Sequence, residues 1–170
     1  MGAATDTVDN EALVERALDV LESVHDPEIP VLTISDLGIL RRVEATDEGV
    51  RVVISPTYSG CPAMDTIEKD VRKAMRDADI AAEVKTEVNP PWTTDWITDR
   101  GRQRMLEYGI APPHGKSSDK RSLLGLDPTV ACPQCRSTRT QMLSAFGSTA
   151  CKALYRCEDC METFDYFKCL

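Results

Sequence analysis

Leu13, Val14, Ala17, Leu18, Leu21 and Val24 recur at the spacing of an amphipathic helix, with Asp9 or Asn10 placed as its N-cap. The helix must end before Asp26-Pro27-Glu28-Ile29-Pro30, because two prolines disfavour helical backbone and push the residues before them toward extended geometry. A structured loop follows. Leu37 to Ala45 and Val50 to Ser55 are rich in Val, Ile and Leu and flank Asp47-Glu48-Gly49, so they predict a hairpin. A second helix starts just past Cys61: Pro62 suits a first helical position, and Met64, Ile67, Val71, Ala74, Met75 and Ala78 make one apolar face. Ala82 to Val88 alternates as a strand does until Asn89-Pro90-Pro91 stops it, and Asp95 to Tyr108 predicts a third helix closed by Gly109. The fold class expected is a small α+β (α/β) domain in the order α-β-β-α-β-α, followed by a small zinc-ribbon-like module.

From Pro112 to Thr129 the pattern dissolves into Pro, Gly, Ser and charge, which marks a linker or a surface loop. The organisation expected is a domain over 1–111, a linker over 112–129 and a module over 130–170. Composition supports this: 170 residues with 42% hydrophobic content suit one modest domain and an appendage. The formal charge of -8 and a pI near 4.8 repel phosphate backbones and weigh against a nucleic-acid partner. No apolar run approaches the roughly 18 residues of a membrane span. The polar, acidic start at Met1-Gly2-Ala3-Ala4-Thr5-Asp6 has neither a basic n-region nor an apolar h-region, and the expectation is a cytoplasmic protein with protein partners. Between Arg100 and Arg121, six basic residues (Arg100, Arg102, Arg104, Lys116, Lys120, Arg121) face two acidic ones, Glu107 and Asp119; the run is either a solvated face or a docking strip for an acidic partner.

The chemistry sits in the cysteines. Cys132/Cys135 and Cys157/Cys160 are two C-x-x-C pairs, each placing two thiolates on one tight turn, and two such turns supply the four sulfur ligands of a closed tetrahedral zinc site. Zinc is the metal expected, with an iron-sulfur cluster as the alternative, since four thiolates suit both and Cys151 and Cys169 lie nearby. Cys151 is a candidate additional ligand. So short a segment has little apolar surface to bury, which makes ligation a large part of its folding free energy.

Cys61 stands apart from that group. Pro56-Thr57-Tyr58-Ser59-Gly60-Cys61-Pro62 delivers a single thiol to a helix N-terminus, where thiolates are stabilised, as a nucleophile or a transient metal ligand; the alternative is an inert capping cysteine. A cysteine hydrolase needs a general base, and neither of the two histidines, His25 and His114, has a claim to that role. Glu22-Ser23-Val24-His25 is half of a carboxylate-bridged di-iron signature whose second half is absent. Neither G-x-G-x-x-G nor a Walker-type loop occurs. Trp92 and Trp96 are read as core anchors of the third helix, with a partner-contact surface as the alternative role.

Four runs together resemble a known family: Asp26-Pro27-Glu28-Ile29-Pro30-Val31, Asp36-Leu37-Gly38-Ile39, Pro56 to Pro62, and Pro91-Trp92-Thr93-Thr94-Asp95-Trp96. With the Phe146 to Cys157 stretch and Phe164-Asp165-Tyr166-Phe167-Lys168, they resemble the PaaD (PaaJ) family of accessory subunits of the 1,2-phenylacetyl-CoA epoxidase, a multicomponent di-iron monooxygenase of aerobic phenylacetate breakdown. The resemblance covers nearly the whole chain. It implies a first domain like that of iron-sulfur assembly factors such as SufT, with the family's characteristic cysteine at Cys61 and with Asp26, Glu28 and Thr57 as family motif positions. It further implies no catalytic residues, a non-enzymatic part in maturing or assembling the epoxidase's metal centres, and the epoxidase subunits as partners. A permanent scaffold subunit or an iron-sulfur electron-transfer component are the alternatives, and homodimerisation stays open.

Overall fold

The computed structural model describes residues 3–113 and 129–168, with side chains from Asp9 onward, and divides into two compact units, 1–92 and 93–170. The first unit contains α1 (Ala3–Leu21), β1 (Leu40–Thr46), β2 (Gly49–Ile54), α2 (Ala63–Asp77) and β3 (Ala82–Thr86). Its sheet has the order β1-β2-β3: β1 and β2 form an antiparallel hairpin, and α2 is the crossover that brings β3 parallel to β2, with Val52 opposite Val84. The two helices pack against each other, α1 over β1 and β2 and α2 against β3.

Local sequence explains most of this. On α2, Ala63, Ile67, Val71 and Met75 are the buried stripe, spaced four apart as one helix face requires. Pro62 is the cap residue and Ala63 the first helical one, one position later than the pattern predicts. The first helix begins at Ala3, well before Asp9, because nothing after Gly2 interrupts helical backbone and two alanines favour it. Of the apolar face expected on the first helix, Ala17, Leu21 and, just past the end of α1, Val24 are buried, while Leu18 is exposed. Gly49, between β1 and β2, has φ of 144° and no room for a Cβ, which would stand 2.2 Å from the Ala81 carbonyl oxygen.

The stretch between α1 and β1 is core. Ile29, Leu32, Ile34, Leu37 and Ile39 are at most 1% exposed, so this non-repetitive segment places more apolar side chains in the core than the described part of either helix. Its backbone is satisfied by its own side chains: Thr33 and Asp36 exchange reciprocal bonds of 3.1 Å, and Trp92 Nε1 donates to the Leu37 carbonyl at 3.0 Å. Trp92 is therefore a core anchor, of this loop rather than of the third helix, while Trp96 is half-buried in a short 3₁₀ turn, Thr94–Trp96.

In the second unit, α3 (Asp99–Tyr108) starts later than expected because Thr98 is its N-cap, accepting from Gly101 N at 3.0 Å, and it ends on left-handed Gly109 as predicted. Four strands follow: β4 (Ile110–Ala111), β5 (Thr140–Ser144), β6 (Lys152–Cys157) and β7 (Thr163–Phe167), in the order β4-β7-β6-β5. The strand β4 pairs parallel to β7, so α3 and β4, which the sequence groups with the first domain, pack with the C-terminal strands. The core is small: Ala111, Val130, Ala153, Tyr155, Phe164 and Tyr166 close on the buried sulfurs of Cys132 and Cys157. Tyr155 stacks on Phe164 and meets Tyr166 edge-on, with centroids 6.0 and 5.6 Å apart. Most of the expected linker, with Lys116, Lys120, Arg121 and His114, lies outside the described residues, as does Cys169.

Candidate metal centre and the Cys61 site

Two turns of matching geometry bring four thiols together. In the first, Cys132 N donates to Ser137 O at 2.8 Å; in the second, Cys157 N donates to Glu162 O at 2.9 Å, five residues on in each case. The residue after the second cysteine of each pair, Arg136 or Met161, adopts φ of 66° or 65°. That left-handed step is what folds the chain around the sulfurs, and non-glycine residues rarely take it without a compensating interaction. Backbone N–H groups then point at sulfur: Ser137 at Cys135, Cys160 and Asp159 at Cys157, and Glu162 at Cys160. The Cys160 amide foremost, with that of Asp159, brings the Cys157 thiol down to about 7, while burial and the neighbouring thiols push those of Cys135 and Cys160 up despite the amides facing them.

The four sulfurs lie within 4.8 Å of one another, with Cys132 to Cys160 at 3.7 Å and Cys135 to Cys157 at 3.5 Å. Sulfurs about 2.3 Å from one tetrahedral ion stand about 3.8 Å apart, so this donor set fits a metal ion with little rearrangement. The turns are braced from outside: Asp159, of the second pair, accepts from Ser137 and Arg139, beside the first, and its carboxyl is held at about 2 by those contacts, Arg139's above all. Cys151 is not brought to this group. It lies just before the opposite end of β6 from Cys157, about 20 Å away along an extended strand, and its buried sulfur is 3.0 Å from Thr149 Oγ1.

The first unit gathers the other predicted residues around Cys61. The Asp26 side chain is buried and its Oδ1 accepts from the N–H groups of Glu28 and Ile29, both at 2.8 Å, which fixes the Asp-Pro-Glu turn. The Cys61 thiol is half-buried just ahead of α2, where the Ala63 N–H and the Thr57 hydroxyl reach its sulfur and the Glu28 and Asp26 carboxylates act on it. The helix-terminal position raises an expectation of a stabilised thiolate. In the structure the thiol is pushed up, because burial outweighs the Ala63 N–H and the two carboxylates add to it. Among the described residues the four C-terminal cysteines are the sole group of three or more such side chains close enough to hold a metal, so Cys61, Asp26 and Glu28 do not form a preassembled site.

Other expected features take structural roles. His25 is exposed, with Nδ1 3.0 Å from the Ser23 carbonyl oxygen, and Arg102 of the basic run bonds Pro113 O at 2.7 Å and Thr94 O at 2.8 Å. No described helix is long and apolar enough to cross a membrane. Two features escape sequence reading altogether: the left-handed residues Arg136 and Met161, which lack the glycine signal, and a buried Lys152 whose ammonium meets Asp165 at 3.0 Å.

Comparison with known proteins agrees with this division. Residues 15–89 match the family model for an iron-sulfur cluster assembly protein and residues 116–168 that for the PaaD zinc beta ribbon domain. A protein of Escherichia coli (strain K12) named as a subunit of 1,2-phenylacetyl-CoA epoxidase is 49% identical over 152 residues, 89% of this chain and 90% of that one. The Fe-S protein maturation auxiliary factor YitW of Bacillus subtilis (strain 168) is 35% identical over 59% of this chain and 97% of its own length. A crystal structure of a domain of unknown function, DUF59, from Bacillus anthracis superposes with a TM-score of 0.54 at 26% identity, over 58% of this chain and 96% of that one. With an assembly-type first unit, a four-thiol ribbon and a relative matched nearly end to end, this chain belongs to the PaaD family.

Proposed function

We propose that this chain is a non-catalytic accessory protein of a phenylacetyl-CoA epoxidase, acting before turnover to mature or assemble that enzyme's metal centres. The observation that carries the proposal is the convergence of Cys61, Thr57, Asp26 and Glu28 in a unit of the iron-sulfur assembly type, joined to a PaaD ribbon. A half-buried thiol kept protonated by burial and two carboxylates stays quiet until a soft metal displaces its proton. Because Cys61 lacks two close co-ligands among the described residues, a metal held there keeps positions for ligands from the protein receiving it, which is what transfer requires.

In this reading the C-terminal centre is structural zinc. That all four sulfurs lie within 4.8 Å of one another supports one tetrahedral ion over a polynuclear cluster, in which cysteines on different irons stand farther apart. The measurement is metal and acid-labile sulfide per chain after anaerobic purification: about one zinc with neither iron nor sulfide is expected. Stoichiometric iron with sulfide at the four cysteines would favour the electron-transfer alternative instead.

Cys61→Ser tests the function itself. The variant is expected to fold and keep its zinc, yet leave co-expressed epoxidase with iron content and activity reduced at least roughly tenfold, an effect of the size seen when a required ligand is lost. If the epoxidase keeps full iron and full activity, delivery through Cys61 is wrong and a permanent scaffold subunit, with the ribbon bridging components, is the better account.

A further inference from the structure

The β5–β6 hairpin carries a feature the metal centre does not use. Gln141 to Phe146 is an unbroken exposed run without a charge, and it holds three of the seven exposed large apolar side chains among the described residues: Met142, Leu143 and Phe146, the last 68% exposed. Its strand, β5, is an outer strand of the described sheet, where proteins ordinarily place charge or proline to discourage pairing. Here a bulge between Met142 and Ser144 is the one protective device, and it displaces Leu143 from the ladder.

The hairpin tip is rigidly built. Lys152, 4% exposed, meets Asp165 at 3.0 Å, and Asp165 also accepts from Ser148 Oγ at 3.1 Å. Gly147 donates to Lys152 O at 2.8 Å, and a Cβ there would fall 2.5 Å from Asp165 Oδ1. Lys168 Nζ donates to Ala145 O at 3.0 Å and sits 4.6 Å from the centroid of the Phe146 ring. A buried ion pair is costly to form, and this one fixes a loop whose tip is an exposed phenylalanine. An aromatic side chain ordered before binding loses little entropy when it docks, which is the profile of an interface hot spot.

We infer that this hairpin is a protein-docking surface, with Phe146 entering an apolar cleft of a partner protein that is rimmed by acidic side chains facing Lys168. Charge selects that occupant: Asp165 and Asp159 are neutralised by Lys152 and Arg139, whereas among the described residues the Lys168 ammonium meets the Ala145 carbonyl oxygen and the Phe146 ring but no carboxylate, so its charge is left to a partner. A second copy would bring to this face another unneutralised Lys168, with the carboxylates of Asp159 and Asp165 already engaged by their own chain. The partner used for the test rests on the reading above, that the chain serves a phenylacetyl-CoA epoxidase.

The test measures binding of the full chain to purified epoxidase oxygenase subunits, with zinc content and circular dichroism confirming that each variant is folded. Phe146→Ala is expected to weaken binding roughly tenfold or more, Lys168→Glu to weaken it and flatten its salt dependence, and Lys168→Arg to bind as the parent does. Folded Phe146→Ala and Lys168→Glu chains that bind like the parent overturn the surface and leave the accessory reading standing. A parent chain that does not bind the oxygenase overturns that reading, and this proposal with it. Self-association of the parent that Phe146→Ala abolishes makes the occupant a second copy, against the proposal.

Discussion

At Cys61 the balance of local forces is set by neighbours far apart in sequence. Asp26 and Glu28 come from the turn after α1, Thr57 from the strand exit and Ala63 from the start of α2; burial above all, with the two carboxylates, holds the thiol above its ordinary value against the pull of the Ala63 N–H and the Thr57 hydroxyl. The sign follows directly. A thiol raised in this way is less ionised at neutral pH than a free cysteine, so its alkylation rate should be low at pH 7 and keep climbing through the range where a free thiol has levelled off. Removing one of the opposing charges should lower it: Glu28→Gln is expected to speed alkylation near pH 8 by roughly threefold, read by mass spectrometry at Cys61. An unchanged rate would mean that the carboxylate does not act on the thiol.

Elements rest on a few obligatory positions. The β1–β2 turn works because Gly49 leaves the Ala81 carbonyl room to accept from Val50 N at 2.9 Å, which begins the parallel pairing of β3 with β2. Gly49→Ala combines an unfavourable φ with a backbone clash, and is expected to cost about 3 kcal/mol. Denaturant titration of the far-UV signal checks it; a loss below roughly 1 kcal/mol would show that β3 shifts at little cost. The hairpin, α2 and the third strand were legible because their periodicities are clean. The α1 start and the split of the third helix were not, because a 3₁₀ turn and a helix sharing an apolar rhythm differ only in which residue, here Thr98, caps the backbone. The core role of 29–39 was hidden for a related reason: non-repetitive backbone has no period to detect, and its burial becomes visible only when Trp92 and the sheet close over it.

For the whole molecule, the two compact units imply separable stabilities. The second has a core of a few aromatic side chains closed around the thiols, so a metal held by them would supply folding energy that burial alone does not. Cys157→Ser or Cys132→Ser is expected to lose any metal held by the four thiols and open residues 93–170 to trypsin while 1–92 stays resistant, as limited proteolysis with mass spectrometry would record. Unchanged protection of the C-terminal unit would put its stability in the aromatic core. By itself the sequence determined which four thiols come together, since two C-x-x-C pairs dictate turns that present paired sulfurs, and it determined the α-β-β-α-β-α order through hydrophobic period and proline punctuation. Tertiary structure alone decided that Cys151 lies at the far end of β6 from the metal centre, that α3 and β4 pack with the ribbon, and that the Cys61 thiol is raised rather than lowered. The reason is common to all three: spacing along a chain fixes what neighbours share a turn, whereas desolvation, strand partnership and the field of distant carboxylates exist only once the chain has closed on itself.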